Sequence, residues 1–305
     1  MANRKRKGRP VSGWLVLDKP KGMTSTQAVS TVKRLFGAAK AGHAGTLDPL
    51  ASGCLPIALG EATKAVPQVF DGRKVYRFTV QWGVETDTDD AEGRPVAISD
   101  QRPSAEAIRA VLPEFTGAIM QVPPSYSAIK VEGERAYDLA RDGETVTLEA
   151  RQTMVYRLDL LETPESDTAV FETECGKGTY VRSLARDIGR RLGVRGHVKA
   201  LRRLSVGSFT EDQLVPLDAV REAFEAGGAE ACDALLAPVE QALGSLLEVP
   251  LQRNEAGRVL RGQVVILRGR DAPIAGAAYA TGAGRLLAVG EIAEGAFHPR
   301  RVFQL

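Results

Sequence analysis

Residues 42–53 place a single carboxylate in a loop made of small and turn-forming residues. The segment reads GHAGTLDPLASG, and Asp48 is its one acidic residue. Its glycines permit positive φ or a close backbone approach, while Pro49 fixes its own φ and biases Asp48 away from helical backbone. Covalent chemistry at one carboxylate would use such a stiffened loop. An ordinary Asp-Pro turn has the same composition, so this segment alone leaves both interpretations open.

The composition is that of a globular protein with no secretory or membrane segment. The chain has 305 residues, of which 44% are hydrophobic and 26% charged. This length is enough for one large core and a small second domain. No apolar run approaches the ~20 residues that cross a bilayer, and no apolar stretch follows the basic N-terminus as in a signal peptide. We therefore expect a cytoplasmic protein that does not bind membranes.

Cysteine and histidine usage argues against disulfides and against a local metal site. The three cysteines, Cys54, Cys175 and Cys232, are widely separated, which fits a reducing compartment. No C-x-x-C or H-x-x-x-H pair occurs, so no zinc site is predicted from neighbouring ligands. No G-x-G-x-x-G follows a predicted strand, so a dinucleotide cofactor has no support.

Basic charge is concentrated in two segments, although the net charge is only +2. The first is residues 3–9, which hold five cations and no anion. Because such a segment buries nothing, we predict a disordered basic tail over residues 1–10.

The second basic segment, residues 176–203, holds nine cations against Asp187 alone. Within it, Arg182, Arg186 and Arg190 recur every four residues and so share one face of a predicted helix. An uninterrupted cationic stripe predicts a polyanionic partner, of which nucleic acid is the common case. The alternative is a solvated, arginine-rich helix.

Several segments have the pattern of strands. Residues 74–82 alternate, so that Tyr76, Phe78 and Val80 share one face. The other predicted strands are residues 13–20, 54–59, 151–161 and 169–175.

Helices are predicted between these strands. Thr24 and Gln27 form a capping box that opens a helix ending at Gly37. Thr179 is predicted to cap a second helix, and residues 216–226 form a third with Phe224 facing inward. Strands and helices together predict an α+β protein.

Two further segments differ from the rest of the chain. Residues 121–145 hold Pro123-Pro124 and many polar residues, which predicts a long excursion from the sheet of the kind that binds a partner. From about residue 246 onward, short β-like runs are separated by glycines with only weak helix signals. This composition predicts a small separate β domain.

Beyond these patterns, the chain resembles the TruB family of tRNA pseudouridine synthases. The resemblance spans nearly the whole chain and is carried by blocks that occur in order. The blocks are LDKPKGMTS at 17–25, GHAGTLDPLASG at 42–53, KVY at 74–76 with TDTD at 86–89, QVPPSYSAIK at 121–130 and GKGTYVRSLARD at 176–187.

The resemblance implies roles for residues around the carboxylate. Asp48 matches the catalytic aspartate of the family. Tyr76 matches the tyrosine that stacks on the target base, and Arg182 matches the arginine that pairs with the catalytic carboxylate. Flipping a base out of its stack costs a few kcal/mol, and an aromatic ring returns roughly 1–3 kcal/mol by stacking on it.

The resemblance also implies supporting residues. Tyr180 and Leu201 match pocket residues near the flipped base. His43 matches a residue that contacts the T loop, and Lys19 with Pro20 matches a motif that supports the catalytic loop. We group Tyr76, Tyr180, Arg182, Leu201, His43 and Lys19 as predicted substrate-binding residues.

The fold implied is the pseudouridine-synthase α+β fold, a mixed and mainly antiparallel central sheet with flanking helices. Residues 11–245 would form the catalytic domain, with 121–145 as an arm that grips RNA. Residues 246–305 would form a PUA-like RNA-binding domain, where the match is weaker.

The activity implied is the isomerisation of uridine 55 in the T loop of tRNA to pseudouridine. The reaction oxidises nothing and takes no group from outside, so no cofactor or metal is required. The expected partner is the T-stem loop of tRNA, and we expect a monomer. The alternatives are an RNA-binding or tRNA-folding protein whose catalysis is secondary, and an enzyme of a guide-RNA particle, which the short, simple C-terminal end disfavours. The route that Asp48 takes, by attack at C1′, attack at C6 or proton abstraction from the ribose, stays open.

Overall fold

The computed structural model describes most of the chain, and its elements confirm the α+β class. The described residues are 8–127, 130, 131, 134, 135, 148–268 and 273–305. The α-helices are α1 (Ser25–Leu35), α2 (Val66–Asp71), α3 (Ala105–Val111), α4 (Val181–Leu192), α5 (Leu217–Ala231) and α6 (Arg253–Leu260). The strands are β1 (Gly13–Lys19), β2 (Ala41–His43), β3 (Ser52–Leu59), β4 (Lys74–Trp82), β5 (Val84–Thr86), β6 (Pro95–Ile98), β7 (Gly117–Gln121), β8 (Lys130–Val131), β9 (Glu134–Arg135), β10 (Arg151–Glu165), β11 (Thr168–Cys175), β12 (Gly196–Val206), β13 (Val215–Pro216), β14 (Leu247–Pro250), β15 (Val265–Ile266), β16 (Gly276–Gly282), β17 (Arg285–Ala293) and β18 (Ala296–Val302).

The chain divides into two compact units that interleave along the sequence. The first unit contains the residues up to 47 together with 54–71 and 206–305. The second contains 48–53 and 72–205. Asp48 therefore belongs to the second unit.

In the first unit, the strands lie in the order β13-β1-β3, and β2 pairs antiparallel with β3. The predicted capping box at the start of α1 is confirmed, because Thr24 and Gln27 each accept a hydrogen bond from the other's backbone N–H. The face of α1 that carries Ala28, Val32 and Leu35 is buried.

In the second unit, the strands lie in the order β12-β4-β11-β10-β7. The pairs β4–β11, β11–β10 and β10–β7 are all antiparallel. Phe78 stacks on Phe171 with ring centroids 5.2 Å apart, and Trp82 meets Phe171 edge-on. Helix α4 packs against β4 and α3. Phe78 and Val80 are buried as predicted, whereas Tyr76, near the start of β4, is partly exposed.

The C-terminal part of the first unit is a five-stranded sheet in the order β14-β16-β17-β18-β15. Its strand β17 supplies side chains to two hydrophobic clusters: Leu287 and Ile292 to one, Leu286 and Val289 to the other. The second cluster also contains Trp14 of β1, so this sheet shares part of its core with the N-terminal strands of its unit. The segment is β-rich as predicted, but it does not form a unit of its own, and helix α6 was not predicted.

Two local predictions for the helices are wrong. Thr179 does not cap α4: the N-cap is Tyr180, which makes no side-chain capping bond. Phe224 does not face inward, because 36% of it is exposed. The predicted stop at Gly227 corresponds to a real break, since Gly227 and Gly228 leave helical backbone inside α5.

No helix among the described residues is long and apolar enough to cross a membrane. Within the same residues, no three histidine, cysteine or acidic side chains cluster as metal ligands would.

Candidate functional site

The C-terminal end of the loop that carries Asp48 pairs with strand β12. Ser52 and Gly53 pair in parallel register with Arg202 and Arg203 of β12. Gly53 has φ +99°, and a Cβ there would lie 2.3 Å from the Arg203 carbonyl oxygen. Only glycine allows this left-handed backbone to approach the strand so closely. The backbone N–H of Ala51 donates to the carbonyl of Asp48 at 3.1 Å, closing a turn around Pro49.

The residue before Asp48 is held within the first unit. The backbone N–H of Leu47 donates to Ser25 Oγ at 2.8 Å, and Ser25 Oγ donates to the carbonyl of Leu47 at 2.9 Å. Ser25 is buried at the start of α1. The conformation of Leu47 is therefore set by a serine distant in sequence.

The Asp48 carboxylate forms an ion pair with Arg182 at the start of α4. Arg182 Nε lies 2.9 Å from Asp48 Oδ2. The arginine side chain is only 7% exposed, whereas that of Asp48 is 35% exposed. One partner is therefore embedded in the protein and the other remains accessible to an incoming molecule.

The remaining donors of Arg182 are satisfied by the protein. Nη1 donates to the Thr88 carbonyl at 3.1 Å and lies 3.5 Å from Asp90 Oδ2. Nη2 donates to the Tyr126 carbonyl at 3.0 Å. A planar guanidinium held at each nitrogen has little rotational freedom, so its orientation toward Asp48 is fixed.

Tyr76 lies within electrostatic range of the same carboxylate. Burial raises the pKa of its hydroxyl; the hydrogen-bonded Arg203 guanidinium acts in the opposite direction, and the Asp48 charge raises the pKa further. Arg203 is 1% exposed. It thus contributes its side chain to Tyr76 and its backbone to the turn at Gly53.

Tyr180 and Leu201 belong to the same unit as Asp48. The Gln121 side chain holds Tyr180 twice: its Oε1 accepts from the Tyr180 N–H at 2.8 Å and its Nε2 donates to the Tyr180 carbonyl at 3.0 Å. Burial raises the pKa of the Tyr180 hydroxyl; the Arg182 charge acts in the opposite direction, and the Asp48 charge raises the pKa further. Leu201 is buried on β12, two residues before Arg203.

Lys19 and His43 belong to the first unit. Lys19 has no exposed surface, and its ammonium donates to the carbonyls of Pro20 and Met23 at 2.9 and 2.7 Å. A side chain so placed supports the turn that follows β1 rather than presenting its charge to a ligand. His43 ends β2 opposite Ile57 and is partly exposed.

Comparison with known proteins assigns the chain to a family. Residues 33–181 match the N-terminal domain of the TruB family pseudouridylate synthases, and residues 182–244 match the C-terminal domain of tRNA pseudouridylate synthase B. The chain is 60% identical over 305 residues to tRNA pseudouridine synthase B of Bradyrhizobium diazoefficiens, covering 99% of this chain and 88% of that protein. This chain belongs to the TruB family of pseudouridine synthases.

Other relatives agree with this assignment. The tRNA pseudouridine synthase B of Agrobacterium fabrum is 59% identical over 306 residues, which cover 99% of this TruB family chain and 97% of the relative. Among solved structures, a chain of the H/ACA ribonucleoprotein bound to a substrate RNA containing 2′-deoxyuridine superimposes with a TM-score of 0.74 and 26% identity, over 100% of this chain and 92% of that one. A Cbf5-Nop10-Gar1 complex gives 0.73 and 27% identity, over 96% and 84%. The predicted pseudouridine-synthase fold is confirmed.

The arginine stripe of this TruB family member does not present free charge to solvent, so the sequence-based interpretation of α4 is wrong. Arg182 and Arg186 are buried, and Arg186 Nη1 lies 2.8 Å from Asp89 Oδ2. Arg190, half exposed, lies 2.5 Å from Glu85. Buried cations require carboxylate partners, and the acidic turn at 85–90 supplies them. The face of α4 is therefore neutralised within the protein.

Sequence reasoning missed Arg203, Gln121 and the acidic partners of α4. Arg203 was counted as one more basic residue because strand β12 was not predicted. The acidic residues at 85–90 and the basic residues of the helix have opposite charges, which was the available signal that they face each other.

Proposed function

We propose that this protein isomerises uridine 55 in the T loop of tRNA to pseudouridine, with Asp48 as the key catalytic group. The observation that carries the proposal is the Asp48–Arg182 ion pair, with an accessible carboxylate held by a buried guanidinium beside Tyr76. Relatives about 60% identical over almost the whole chain are named tRNA pseudouridine synthase B, which supports tRNA as the substrate.

The proposed reaction conserves all atoms of the nucleotide. The N1–C1′ bond breaks, the base turns, and a C5–C1′ bond forms. A proton leaves C5 and a proton binds N1, so no electron is gained or lost. The work of the protein is to extrude the base, hold it, and direct one carboxylate at the nucleotide.

The residues near Asp48 suit these tasks. The ring of Tyr76 is proposed to stack on the extruded base, a contact worth roughly 1–3 kcal/mol. That return offsets the few kcal/mol needed to extrude the base. Arg182 keeps the carboxylate in one orientation, which lowers the entropic cost of reaching the reactive geometry. Tyr180 and Leu201 are proposed to line the pocket, His43 to contact the T loop, and Lys19 to support the catalytic loop.

The domain assignments are part of the same proposal. Residues 11–245 act as the catalytic domain and 246–305 as a PUA-like RNA-binding domain. The predicted disordered tail over 1–10 is wrong at Arg9, whose guanidinium forms an ion pair with Asp233 at 2.6 Å and donates to the Ala229 carbonyl at 2.9 Å. The proposed arm at 121–145 lies largely outside the described residues. We further propose a cytoplasmic monomer, because the relatives are bacterial enzymes that modify tRNA.

The test is to incubate the purified protein with a T-stem-loop RNA and no added cofactor, and then to map pseudouridine. Modification at position 55 alone supports the proposal. An RNA with cytidine at that position is the matched control and stays unmodified. Modification at another uridine, or none, contradicts the assignment of the substrate.

The alternative is a protein that folds tRNA and whose catalysis is secondary. Expression of the Asp48→Asn variant in a cell that lacks its own tRNA pseudouridine 55 synthase distinguishes the enzyme from the tRNA-folding protein. Full rescue of the growth of that cell under stress, with no pseudouridine at position 55 of its tRNA, would favour the alternative.

A further inference from the structure

A second buried arginine lies one turn beyond Arg182 on α4. The side chain of Arg186 is 8% exposed, and its three nitrogens each have a partner. Nη1 donates to Asp89 Oδ2, Nη2 to the Val122 carbonyl and Nε to Asp187 Oδ1, all at 2.8 Å. These contacts occupy the guanidinium within the protein, so Arg186 is not available to bind RNA phosphates.

Asp89, the partner of Arg186, has an unusual backbone. Its φ is +61°, a left-handed conformation that non-glycine residues adopt only when surrounding contacts hold it. The carbonyl of Asp89 accepts from the Val198 N–H at 3.0 Å, and its own N–H donates to Thr86 at 3.2 Å. The side chain is thereby directed to Arg186.

The residues on either side of Asp89 are the ones that hold Arg182. The Thr88 carbonyl accepts from Arg182 Nη1, and the Asp90 carboxylate lies near the same nitrogen. Because the chain reverses at Asp89, the Asp89 side chain meets Arg186, while the Thr88 carbonyl and the Asp90 carboxylate meet Arg182. Any shift of Asp89 moves two of the groups that orient Arg182.

Arg186 also contacts the segment that contributes a third group to Arg182. The Val122 carbonyl accepts from both Arg186 Nη2 and Ser183 Oγ, the latter at 2.9 Å. Four residues later, the Tyr126 carbonyl accepts from Arg182 Nη2. Arg186 thus contacts Asp89, which adjoins Thr88, and Val122, which lies four residues before Tyr126.

We infer that Arg186 and Asp89 act as a positioning pair, which holds Arg182 in the orientation that directs the Asp48 carboxylate. The inference rests on the proposed function. Neither residue is assigned contact with the nucleotide. Their loss is expected to lower turnover without weakening the binding of tRNA.

The charges around Asp89 give the pair a pH signature. Arg186, Arg182 and Arg190 face it from α4, and Glu85 faces it from β5. Burial raises the pKa of Asp89 to about 6, against the opposing effect of the arginines. As the pH falls through this value, Asp89 loses the charge that orients Arg186.

The experiment compares Arg186→Lys and Asp89→Asn with the wild type by single-turnover kinetics on a T-stem-loop RNA. Lysine keeps the charge but not the planar fork, so it does not hold three partners at once. We expect the rate constant of Arg186→Lys to fall on the order of 100-fold, as small misplacements of reacting groups do. The Kd for the RNA should stay within about threefold of the wild type, since no binding contact is removed.

Asp89→Asn mimics the protonated carboxyl at every pH. The ratio of its rate constant to that of the wild type should lie within about twofold of one at pH 5 and be about one tenth at pH 8, because only the wild type ionises as the pH rises. A merely structural role would change only the amount of folded protein, and because ionisation of Asp89 disfavours folding, the ratio would then rise with pH instead of falling. This ratio can be measured even if Arg186→Lys fails to fold, because it needs only Asp89→Asn and the wild type.

Arg190→Lys is the matched control. Arg190 lies one turn further along α4 and forms an ion pair with Glu85 of β5. None of the contacts of Arg182 described above involves Glu85. The rate constant of Arg190→Lys should stay within about threefold of the wild type.

Rate constants of Arg186→Lys and Asp89→Asn within threefold of the wild type at pH 8 would overturn the inference. An equal loss in Arg190→Lys would do the same. If the wild type itself forms no pseudouridine, the proposed function fails instead, so the two failures are distinguishable.

Discussion

Arg182 Nε lies 2.9 Å from Asp48 Oδ2, and this contact joins a buried side chain to an accessible one. The three other contacts of the guanidinium come from residues 88, 90 and 126. The orientation of Asp48 is therefore determined by segments far from its own loop in sequence.

Arg182→Lys is expected to lower the single-turnover rate constant on the order of 100- to 1,000-fold. Lysine offers a point charge, so it cannot hold Asp48, the Thr88 carbonyl and the Tyr126 carbonyl together. RNA affinity should change little, because Arg182 is buried. Filter binding and single-turnover kinetics measure the two effects. A large loss of affinity with an unchanged rate constant would mean that Arg182 binds RNA directly.

Tyr76→Leu is expected to weaken RNA binding by about 1–3 kcal/mol, the stacking contribution of one aromatic ring. Tyr76→Phe is the matched control, because it keeps the ring and removes only the hydroxyl that meets Arg203. It should retain the affinity but lower the free energy of unfolding by about 1–3 kcal/mol, since a buried guanidinium loses an acceptor. Equal affinities of the two variants would argue against stacking.

Gly53→Ala is expected to destabilise the protein by about 2 kcal/mol or more. The new Cβ would lie 2.3 Å from the Arg203 carbonyl oxygen, at φ +99°. Gly42→Ala, in the same sequence block, meets no atom within 4 Å and should stay within ~1 kcal/mol of the wild type. Urea unfolding measures both. Similar unfolding midpoints for the two variants would contradict the close approach at Gly53.

The stability of the wild type should fall relative to that of Asp89→Asn as the pH rises from 4 to 7. Burial raises the pKa of Asp89 from 3.8 to about 6, so ionisation costs free energy in the folded state only. The contribution of this carboxyl to stability is complete below pH 3.8 and is lost as the pH rises through 6. Urea unfolding at several pH values measures the difference. Parallel stability profiles, or a difference of opposite sign, would contradict it.

Local structure was largely predictable from the sequence. The capping box at Thr24 and Gln27 needs only neighbouring residues, and the alternation of 74–82 reports directly on a strand with one buried face. The side chain of Ser104 likewise caps α3 by accepting from the N–H of Ala107, three residues later. The cap at α4 was wrong because Gln121, distant in sequence, satisfies the backbone of Tyr180 in place of a local side chain.

The electrostatics of the site could not be obtained from residues near one another in sequence. The arginines of α4 suggested a polyanion because their carboxylate partners lie about 100 residues earlier. Strand β12 was hidden by its basic composition, and with it the link between Gly53, Arg203 and Tyr76. The choice of Asp48 came from the family resemblance, since its loop alone fits an ordinary turn equally well.

The proposed reaction depends on one carboxylate, that of Asp48. Asp48→Asn keeps the shape of the side chain and its hydrogen-bonding oxygen but removes the charge that pairs with Arg182. Pseudouridine should then be undetectable at position 55 of a T-stem-loop RNA, while the Kd for that RNA stays within about threefold of the wild type. Pseudouridine formation by the variant at a rate near that of the wild type would show that Asp48 is not the key catalytic group.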